Sequence, residues 1–175
     1  MPIETPSDTV FTTARLRARR WRPTDLGHLM RVYGDAEAMR WVGDGSPLTR
    51  EDAERWLDVT ASNYATRGYG MFALEDLATG EVVGFVGLVH PGGQVEAEVK
   101  YAFAREHWGK GLATEAVEGA VAYGASEHGL TQVIATVAPE NEASQRVLTK
   151  AGFRPSAPRH SDDGSLTLVF AWRPA

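Results

Sequence analysis

The sequence has no cysteine among its 175 residues. This absence excludes a disulfide framework, a zinc–thiolate site and a cysteine nucleophile that would carry a covalent intermediate. The sequence also has no apolar run near the roughly 18 residues that a membrane-spanning helix needs, and no apolar N-terminal run of signal-peptide length. We therefore expect a cytoplasmic protein with no membrane partner.

Basic residues are fewer than acidic ones, 18 Lys and Arg against 23 Asp and Glu, so the formal net charge is −5. This balance disfavours non-specific binding to a phosphate backbone, and we expect no DNA partner. An acidic surface is compatible with cationic substrates such as amines. His90, His128 and His160 do not have the spacing of metal ligands, so we expect no metal.

The chain has no internal repeat, no low-complexity tract and no long linker, so we expect one domain over residues 1–175. Periodicity and turn residues predict a mixed α/β fold. Residues 1–10 are predicted to be a loose lead-in, and the GDGSP segment at 43–47 a loop. The predicted strands cover residues 13–21, 69–75, 81–90, 95–103, 131–137 and 166–172, and the predicted helices cover 24–33, 35–40, 49–66, 111–128 and 142–151.

A glycine-rich stretch at residues 105–116, REHWGKGLATEA, lies where a predicted strand turns into a helix. Gly109 and Gly111 lack Cβ atoms, so several backbone N–H groups can converge there on one anion. The helix that follows would add roughly +0.5 of a charge at that end, and Lys110 adds an ammonium group. The stretch therefore indicates a phosphate-binding site, although two glycines at such a turn also suit a tight loop.

Two familiar phosphate-binding motifs do not fit this stretch. A dinucleotide-binding fingerprint that begins at Gly109 needs Gly or Ala at position 114, where the sequence has Thr114. A Walker-type loop needs Ser or Thr at position 111 and Gly at position 104, where the sequence has Gly111 and Ala104. A phosphate-bearing cofactor of another kind is the remaining hypothesis.

Four segments occur in an order and spacing that resemble the GNAT superfamily of acyl-CoA-dependent N-acetyltransferases. They are TARLRARRW followed by Asp25, EVKYAF, HWGKGLATEA and NEASQRVLTKAGF. The resemblance covers nearly the whole chain and is closer to the branch of ribosomal-protein N-terminal alanine and serine acetyltransferases. It implies the GNAT fold, a central mixed and mostly antiparallel sheet that is flanked by helices and splayed between its central strands.

The resemblance also implies where acetyl-CoA, the acyl-donor cosubstrate, would bind. The glycine-rich stretch would hold its pyrophosphate on backbone N–H groups, and the strand before it would offer backbone groups to the pantetheine arm and the thioester carbonyl. Asn141 and Ser144 match the family's NxxS segment, which would contact the cofactor near its sulfur, while both residues also suit helix capping. The implied cofactor-binding residues are Tyr101, Ala102, Phe103, Trp108, Gly109, Lys110, Gly111, Leu112, Ala113, Thr114 and Asn141.

The catalytic candidates that the resemblance implies are Glu98 and Ser144. Glu98 would take the proton of the amine directly or through a water, unless it merely shares a solvated strand face with Glu96. Many relatives have a proton-donating Tyr seven residues after the Asn, where this chain has Leu148, so Ser144 is the remaining donor of the motif. Lys100 stands where the branch usually has Gly, and we expect it to pair with Glu98 and weaken it as a base.

Trp41 and Trp56 lie in the region that walls the acceptor cleft in relatives, although Trp at helical spacing is more often part of a core. We take Trp41 and Glu98 as the substrate-binding candidates. The acceptor would be a primary amine, either a protein N-terminus or a small molecule such as an aminoglycoside, a polyamine or an amino-acid derivative. Because the chain has no cysteine, the amine would attack acetyl-CoA directly in a ternary complex.

Two other functions stay open beside this one. The first is a non-catalytic acyl-CoA-binding or regulatory domain, which Leu148 and Lys100 favour because they depart from the family pattern. The second is a dinucleotide-binding oxidoreductase, which Thr114 and the antiparallel strands before the loop disfavour. The sequence does not decide the acceptor amine, and it leaves a homodimer open.

Overall fold

The computed structural model describes residues 8–42 and 45–175, so residues 1–7 of the expected lead-in and residues 43–44 of the expected loop lie outside the described part. The α-helices are α1 (Leu26–Tyr33), α2 (Arg50–Arg67), α3 (Leu112–His128) and α4 (Glu142–Lys150). Among the described residues, no helix combines the length and the apolar composition of a membrane span. The strands are β1 (Thr9–Thr12), β2 (Leu16–Arg20), β3 (Met71–Asp76), β4 (Val82–Val89), β5 (Ala97–Phe103), β6 (Val133–Val137), β7 (Arg154–Pro155), β8 (Arg159–His160) and β9 (Leu166–Trp172).

The strands form a sheet in the order β1-β2-β3-β4-β5-β6-β9-β7, and β8 pairs with β9. Neighbouring strands are antiparallel except β5 and β6, which are parallel. These two strands pair only at Ala97 with Val133 and at Glu98 with Ile134, whereas β4 and β5 pair over six residues. The two strands therefore separate after Glu98, which agrees with the splayed, mostly antiparallel sheet that the resemblance implies.

Two hydrophobic cores lie on opposite faces of the sheet, because alternate residues of a strand point to opposite faces. One core contains Val99 and Val133 of the sheet together with Val117 of α3 and Leu148 of α4. The other core contains strand residues such as Phe85 together with apolar residues of α1 and α2. The sheet is thus covered by helices on both faces, and the gap between β5 and β6 opens at its centre.

Helix α3 begins and ends at glycines with left-handed backbone angles, φ 78° at Gly111 and φ 63° at Gly129. The N–H groups of Gly129 and Leu130 both donate to the Gly124 carbonyl, the latter at 3.1 Å, so the helix ends at the glycine stop that the sequence predicts. Gly124 also faces the sheet, where an added Cβ would lie 2.8 Å from the Leu88 Cδ1 atom. The small residues of α3 therefore allow the close packing on the sheet that we expect.

The strand expected at residues 13–21 is present but shorter, as β2, and it forms a hairpin with β1, so this prediction is wrong only in its bounds. Strand β1 begins inside the expected lead-in, and β2 begins only at Leu16. The turn between them is fixed to α3, because Glu115 accepts hydrogen bonds from the Thr13 hydroxyl at 2.5 Å and from the Arg15 N–H at 2.9 Å. Because Glu115 is so distant in the chain, local periodicity does not predict this contact or the turn that it fixes.

The short helix expected at residues 35–40 is also wrong, because the structure has turns there. The Asp35 carboxylate accepts hydrogen bonds from the Glu37 N–H at 3.1 Å and from Arg105 Nε at 2.7 Å. A side chain that binds a nearby backbone amide in this way competes with helix formation. The structure also adds β7 and β8, two-residue strands that the sequence does not predict.

A buried charge cluster joins the sheet to the start of α1. The Arg19 guanidinium, on a residue only 2% exposed, donates to Asp25 at 2.8 and 3.0 Å and to Glu75 at 2.6 Å. Asp25 also accepts the Arg22 N–H at 2.7 Å. Burial raises the pKa of Asp25, but the hydrogen bonds from Arg19 and Arg22 outweigh burial, so this pKa lies below its ordinary value. The Asp25 carboxylate therefore ties β2 to α1.

We expect Asp25→Asn to lower the free energy of unfolding at pH 7 by about 3 kcal/mol, because it removes one of the anions that neutralise the buried Arg19 guanidinium. Since folding lowers the pKa of Asp25, its stabilising effect is complete above about pH 4 and is lost as the pH falls through the lowered pKa. Urea unfolding at pH 7 and pH 3 measures both effects, and the difference from the wild type should shrink at pH 3.

Glu51→Gln is the matched control, because it makes the same carboxylate-to-amide change in an exposed ion pair, 3.0 Å from Arg55. This variant should lose less than about 1 kcal/mol. An Asp25→Asn variant as stable as the control variant at pH 7 would contradict the structural role of the cluster.

Candidate functional site

A cleft of about 1150 Å³ opens where β5 and β6 separate. Its walls are the second half of β5, the loop before α3, the first turns of α3 and α4, and the segment after α1. Small-ligand sites usually enclose about 300–1,000 Å³, so this cleft has room for an extended ligand together with a second molecule. Because β6 has turned away, the β5 backbone at residues 99–103 meets the cleft instead of a paired strand.

The glycine-rich loop presents backbone to this cleft. Gly109 has φ 75° and Gly111 has φ 78°, backbone angles that glycine adopts without steric cost. Gly111 caps α3 without a side-chain hydrogen bond, and residues 109–114 line the cleft, so the first N–H groups of the helix are accessible from it. This geometry agrees with the anion site that the sequence predicts.

Side chains from elsewhere in the chain hold the loop in place. The Trp108 indole N–H donates to the Phe103 carbonyl at 2.8 Å, which ties the loop to the end of β5. Arg15 donates to the Lys110 carbonyl at 2.8 Å and to Glu115 at 2.9 Å. Arg15 is a loop-supporting residue that sequence reasoning missed, and only a contact across 95 positions reveals it.

The NxxS segment forms the start of α4 at the opposite wall of the cleft. The Asn141 side-chain oxygen accepts the Ser144 N–H at 3.2 Å, so Asn141 acts as the helix cap. Both residues line the cleft, and the Ser144 hydroxyl lies 2.5 Å from the Tyr101 hydroxyl on β5. Burial raises the pKa of Tyr101, and the hydrogen bond with Ser144 partly offsets that effect. Leu148 also borders the cleft, but it is only 1% exposed and packs in the core.

Glu98 is the last residue of β5 that pairs with β6 before the two strands separate, and it is only 3% exposed. Its carboxylate accepts hydrogen bonds from Thr136 Oγ1 at 2.9 Å and from Gln94 Nε2 at 3.3 Å, and it lies 3.1 Å from Lys100 Nζ. The expected pairing with Lys100 is confirmed, whereas the alternative of a solvated strand face is wrong for Glu98. Lys100 and Thr136 are among the residues that line the cleft, and Glu98 lies behind them.

Trp41 lies at the other end of the cleft and is 45% exposed, so it is not a core residue. The Arg40 guanidinium lies 4.9 Å from the centre of its ring. Trp56 differs from Trp41, because it packs against the second core. Its ring centroid lies 5.8 Å from that of Trp21, edge-on, and 4.9 Å from that of Tyr33, at a tilt. Of the two tryptophans, Trp41 is therefore the one available to a ligand.

The charge of the cleft is opposite to that of the whole chain. Among the described residues that line it, basic side chains outnumber acidic ones, although the chain has a formal net charge of −5. Such a lining attracts anionic groups. The basic residues are Arg40, Lys100, Lys110, Arg146 and Lys150, and the acidic ones are Glu37 and Glu140.

One group of potential metal ligands occurs in the described part of the chain, at Glu81, Glu106 and His107, whose ligating atoms lie within 4.8 Å of one another. The Arg31 guanidinium lies 2.7 Å from both glutamates, so a cationic side chain already offsets half of their charge. The expectation that the protein needs no metal stays a prediction.

The sequence of this chain matches known acetyltransferases over most of its length. The family model described as the acetyltransferase (GNAT) domain matches residues 15–154. The chain is 33% identical over 147 residues to the uncharacterized protein YkkB of Bacillus subtilis (strain 168), which covers 82% of this chain and 84% of that protein. It is 31% identical over 147 residues to the uncharacterized N-acetyltransferase YoaA of the same strain, with 83% and 82% covered.

Solved structures share the fold. A GNAT-family acetyltransferase from Bacillus anthracis has a TM-score of 0.78 at 24% identity, covering 93% of this chain and 96% of that one. RimL, a ribosomal L7/L12 α-N-protein acetyltransferase solved with coenzyme A, has a TM-score of 0.79 at 13% identity, covering 94% and 97%. Identities this low show the fold alone. Together with the family match and the relatives, they show that this chain belongs to the GNAT acetyltransferase family.

Proposed function

We propose that the protein transfers an acetyl group from acetyl-CoA to a primary amine, which attacks the thioester directly in a ternary complex. The observation that carries this proposal is the separation of β5 and β6 next to the glycine-rich start of α3. One cleft thus combines an anion site with an unpaired strand edge. Acyl transfer needs both, because the donor is anionic and the reaction builds an oxyanion that backbone N–H groups can stabilise.

The lining of the cleft supports acetyl-CoA as the donor. Its pyrophosphate would bind the N–H groups of residues 109–114, where the helix dipole contributes roughly +0.5 of a charge, and Lys110 would add its ammonium group. The pantetheine arm would follow residues 101–103 of β5, with the sulfur near Asn141 and Ser144. The excess of basic side chains in the lining agrees with a phosphate-bearing ligand.

The acceptor is the less defined half of the reaction. The amine must be neutral to attack. At pH 7, deprotonating an α-amine with a pKa near 8, about a tenth of which is already neutral, costs roughly 1 kcal/mol, whereas deprotonating a lysine amine costs about 4–5 kcal/mol. We propose Trp41 as a wall of the acceptor site, and Glu98 as the base that takes the amine proton through a water. Glu98 lies behind Lys100 and Thr136, so it suits an acceptor that needs little help from a base, such as a protein N-terminus or another α-amine.

The same contacts keep a second function open, a non-catalytic acyl-CoA-binding domain. Lys100 neutralises Glu98, and Leu148 is buried where many relatives have a proton-donating tyrosine. The site therefore lacks an unpaired carboxylate base and a tyrosine acid at these positions, while the proposed anion site is unchanged.

Ligand binding and turnover separate these functions. Acetyl-CoA in large excess over its dissociation constant should raise the melting temperature by about 5 °C, and NAD and ATP should not. Thiol release from acetyl-CoA should then follow with at least one member of a panel of N-terminal peptides, polyamines, aminoglycosides and amino-acid derivatives. A thermal shift without turnover for any acceptor would favour the binding domain, and a shift with NAD alone would contradict both.

Gly109→Ala tests the anion site. Its added Cβ would meet no atom within 4 Å, but the positive φ should cost about 1–2 kcal/mol of stability. We expect the affinity for acetyl-CoA to fall about tenfold, because the methyl group blocks close approach of a phosphate to the backbone. Gly80→Ala is the matched control, because Gly80 has φ 73°, has the same open space and lies in the β3–β4 turn. Equal effects of both variants on acetyl-CoA binding, measured by calorimetry, would contradict this site.

Glu98→Gln tests the base. With a peptide α-amine, kcat/KM should fall about 10²-fold, and the loss should be largest below the pKa of the amine, near 8, where most of the amine is charged. Glu96→Gln is the control, because Glu96 is exposed and lies just before β5, and it should leave the pH profile unchanged. A Glu98→Gln profile that matches the wild type would remove Glu98 as the base.

A further inference from the structure

Two hydroxyl groups meet at the wall of the cleft. The Tyr101 hydroxyl on β5 and the Ser144 hydroxyl on α4 lie 2.5 Å apart, although 43 positions separate the two residues. Both residues line the cleft, and Asn141 fixes the Ser144 N–H at 3.2 Å. A strand, a helix and a helix cap therefore position the pair, which makes its geometry more precise than a pair on loops.

Tyr101 is the better donor of the two, because a phenol is more acidic than an aliphatic alcohol. Burial raises the pKa of Tyr101, and the hydrogen bond with Ser144 offsets only part of that rise, so the phenol keeps its proton at neutral pH. A serine hydroxyl has one proton and two acceptor positions. When Ser144 accepts the Tyr101 proton, its own proton can point into the cleft, and the accepted bond strengthens it as a donor.

We propose that Tyr101 is a positioning residue that acts through Ser144: the Tyr101 hydroxyl donates to Ser144 Oγ and directs the Ser144 proton toward the sulfur of coenzyme A. This inference rests on the proposed function, which brings that sulfur to the same end of the cleft. Leu148 occupies the position where many relatives have a tyrosine donor, so the chain has no tyrosine donor there. Tyr101 on β5 would supply the phenol instead, and the Ser144 hydroxyl would lie between this phenol and the sulfur.

The reaction balances with Ser144 as a hydrogen-bond donor alone. The amine nitrogen forms a bond to the acetyl carbon, the C–S bond breaks, and the sulfur leaves with the bonding electron pair as a thiolate. The Ser144 proton stabilises this thiolate without transferring to it. The amine loses its proton to Glu98 or to solvent, and coenzyme A takes up a proton from solvent after release.

Calorimetric titration tests this role without an acceptor. Coenzyme A and desulfo-coenzyme A, which lacks the thiol group, are titrated into the protein from pH 7 to pH 9.5. The affinity for coenzyme A divided by the affinity for desulfo-coenzyme A gives the contribution of the thiol group to binding. In the wild type we expect the ratio to rise about tenfold with pH, because a hydrogen bond to the thiolate lets the bound thiol ionise at a lower pH than the free thiol.

The variants separate a positioning role from a structural one. Between pH 7 and pH 9.5 the affinity ratio should increase only about threefold or less in Tyr101→Phe, and it should not increase in Ser144→Ala. The double variant should behave as Ser144→Ala does. Tyr123→Phe should keep the full rise, because the Tyr123 hydroxyl bonds His128 at 2.7 Å and is not among the residues that line the cleft. A loss of stability in Tyr101→Phe would not by itself change the ratio.

Three results would overturn the inference. The first is a Tyr101→Phe ratio that rises as in the wild type, and the second is a double variant that loses more than Ser144→Ala, because Tyr101 would then act independently. The third is coenzyme A binding to the wild type with no pH-dependent rise, which leaves the proposed function intact. If coenzyme A does not bind at all, the proposed function fails together with the inference.

Discussion

The separation of β5 and β6 after two paired residues is the constraint on which the rest of the site depends. A central strand normally uses its backbone N–H and C=O groups on both sides, and buried groups of this kind need partners. Beyond Glu98, β5 has β4 on one side and the cleft on the other, so its backbone is available to an extended ligand. The same separation brings α3 and α4 to the two walls of the cleft, where their first turns supply N–H groups and the NxxS segment.

Charged side chains differ between the two ends of the cleft to which the proposed function assigns the donor and the acceptor. Around the loop before α3, Lys110 and the helix start provide positive charge for phosphates, and Arg15 holds the loop through the Lys110 carbonyl. Toward the side proposed for the acceptor, Lys100 instead pairs with the buried carboxylate of Glu98. On the proposed function, charge would therefore define the donor site strongly, whereas the acceptor site would have no free anion at Glu98. This contrast favours an acceptor that reacts with little assistance from a base over a highly charged polyamine.

The sequence predicted the elements whose signals are local. The Thr49 capping box and the glycine stop after α3 occur where the sequence predicts them. Contacts between distant positions were not predictable, because nothing local encodes them. Thr136 reaches Glu98 from the neighbouring strand β6, and the Tyr101–Ser144 pair joins a strand to a helix. The Lys100–Glu98 pair, by contrast, was expected, because only two positions separate its members on β5. The strands β7 and β8 are each too short to produce a periodicity, and their pairing with β9 decides their structure.

On the proposed function, acetyl-CoA binds along the unpaired edge of β5 and on the start of α3. Amide hydrogen exchange with and without acetyl-CoA tests it most directly, because a ligand that uses those N–H groups slows their exchange. We expect slower exchange at residues 99–103 and at residues 109–114, with little change in β1 to β3. Exchange that is unchanged in both segments at saturating acetyl-CoA, or slowed only elsewhere, would contradict it.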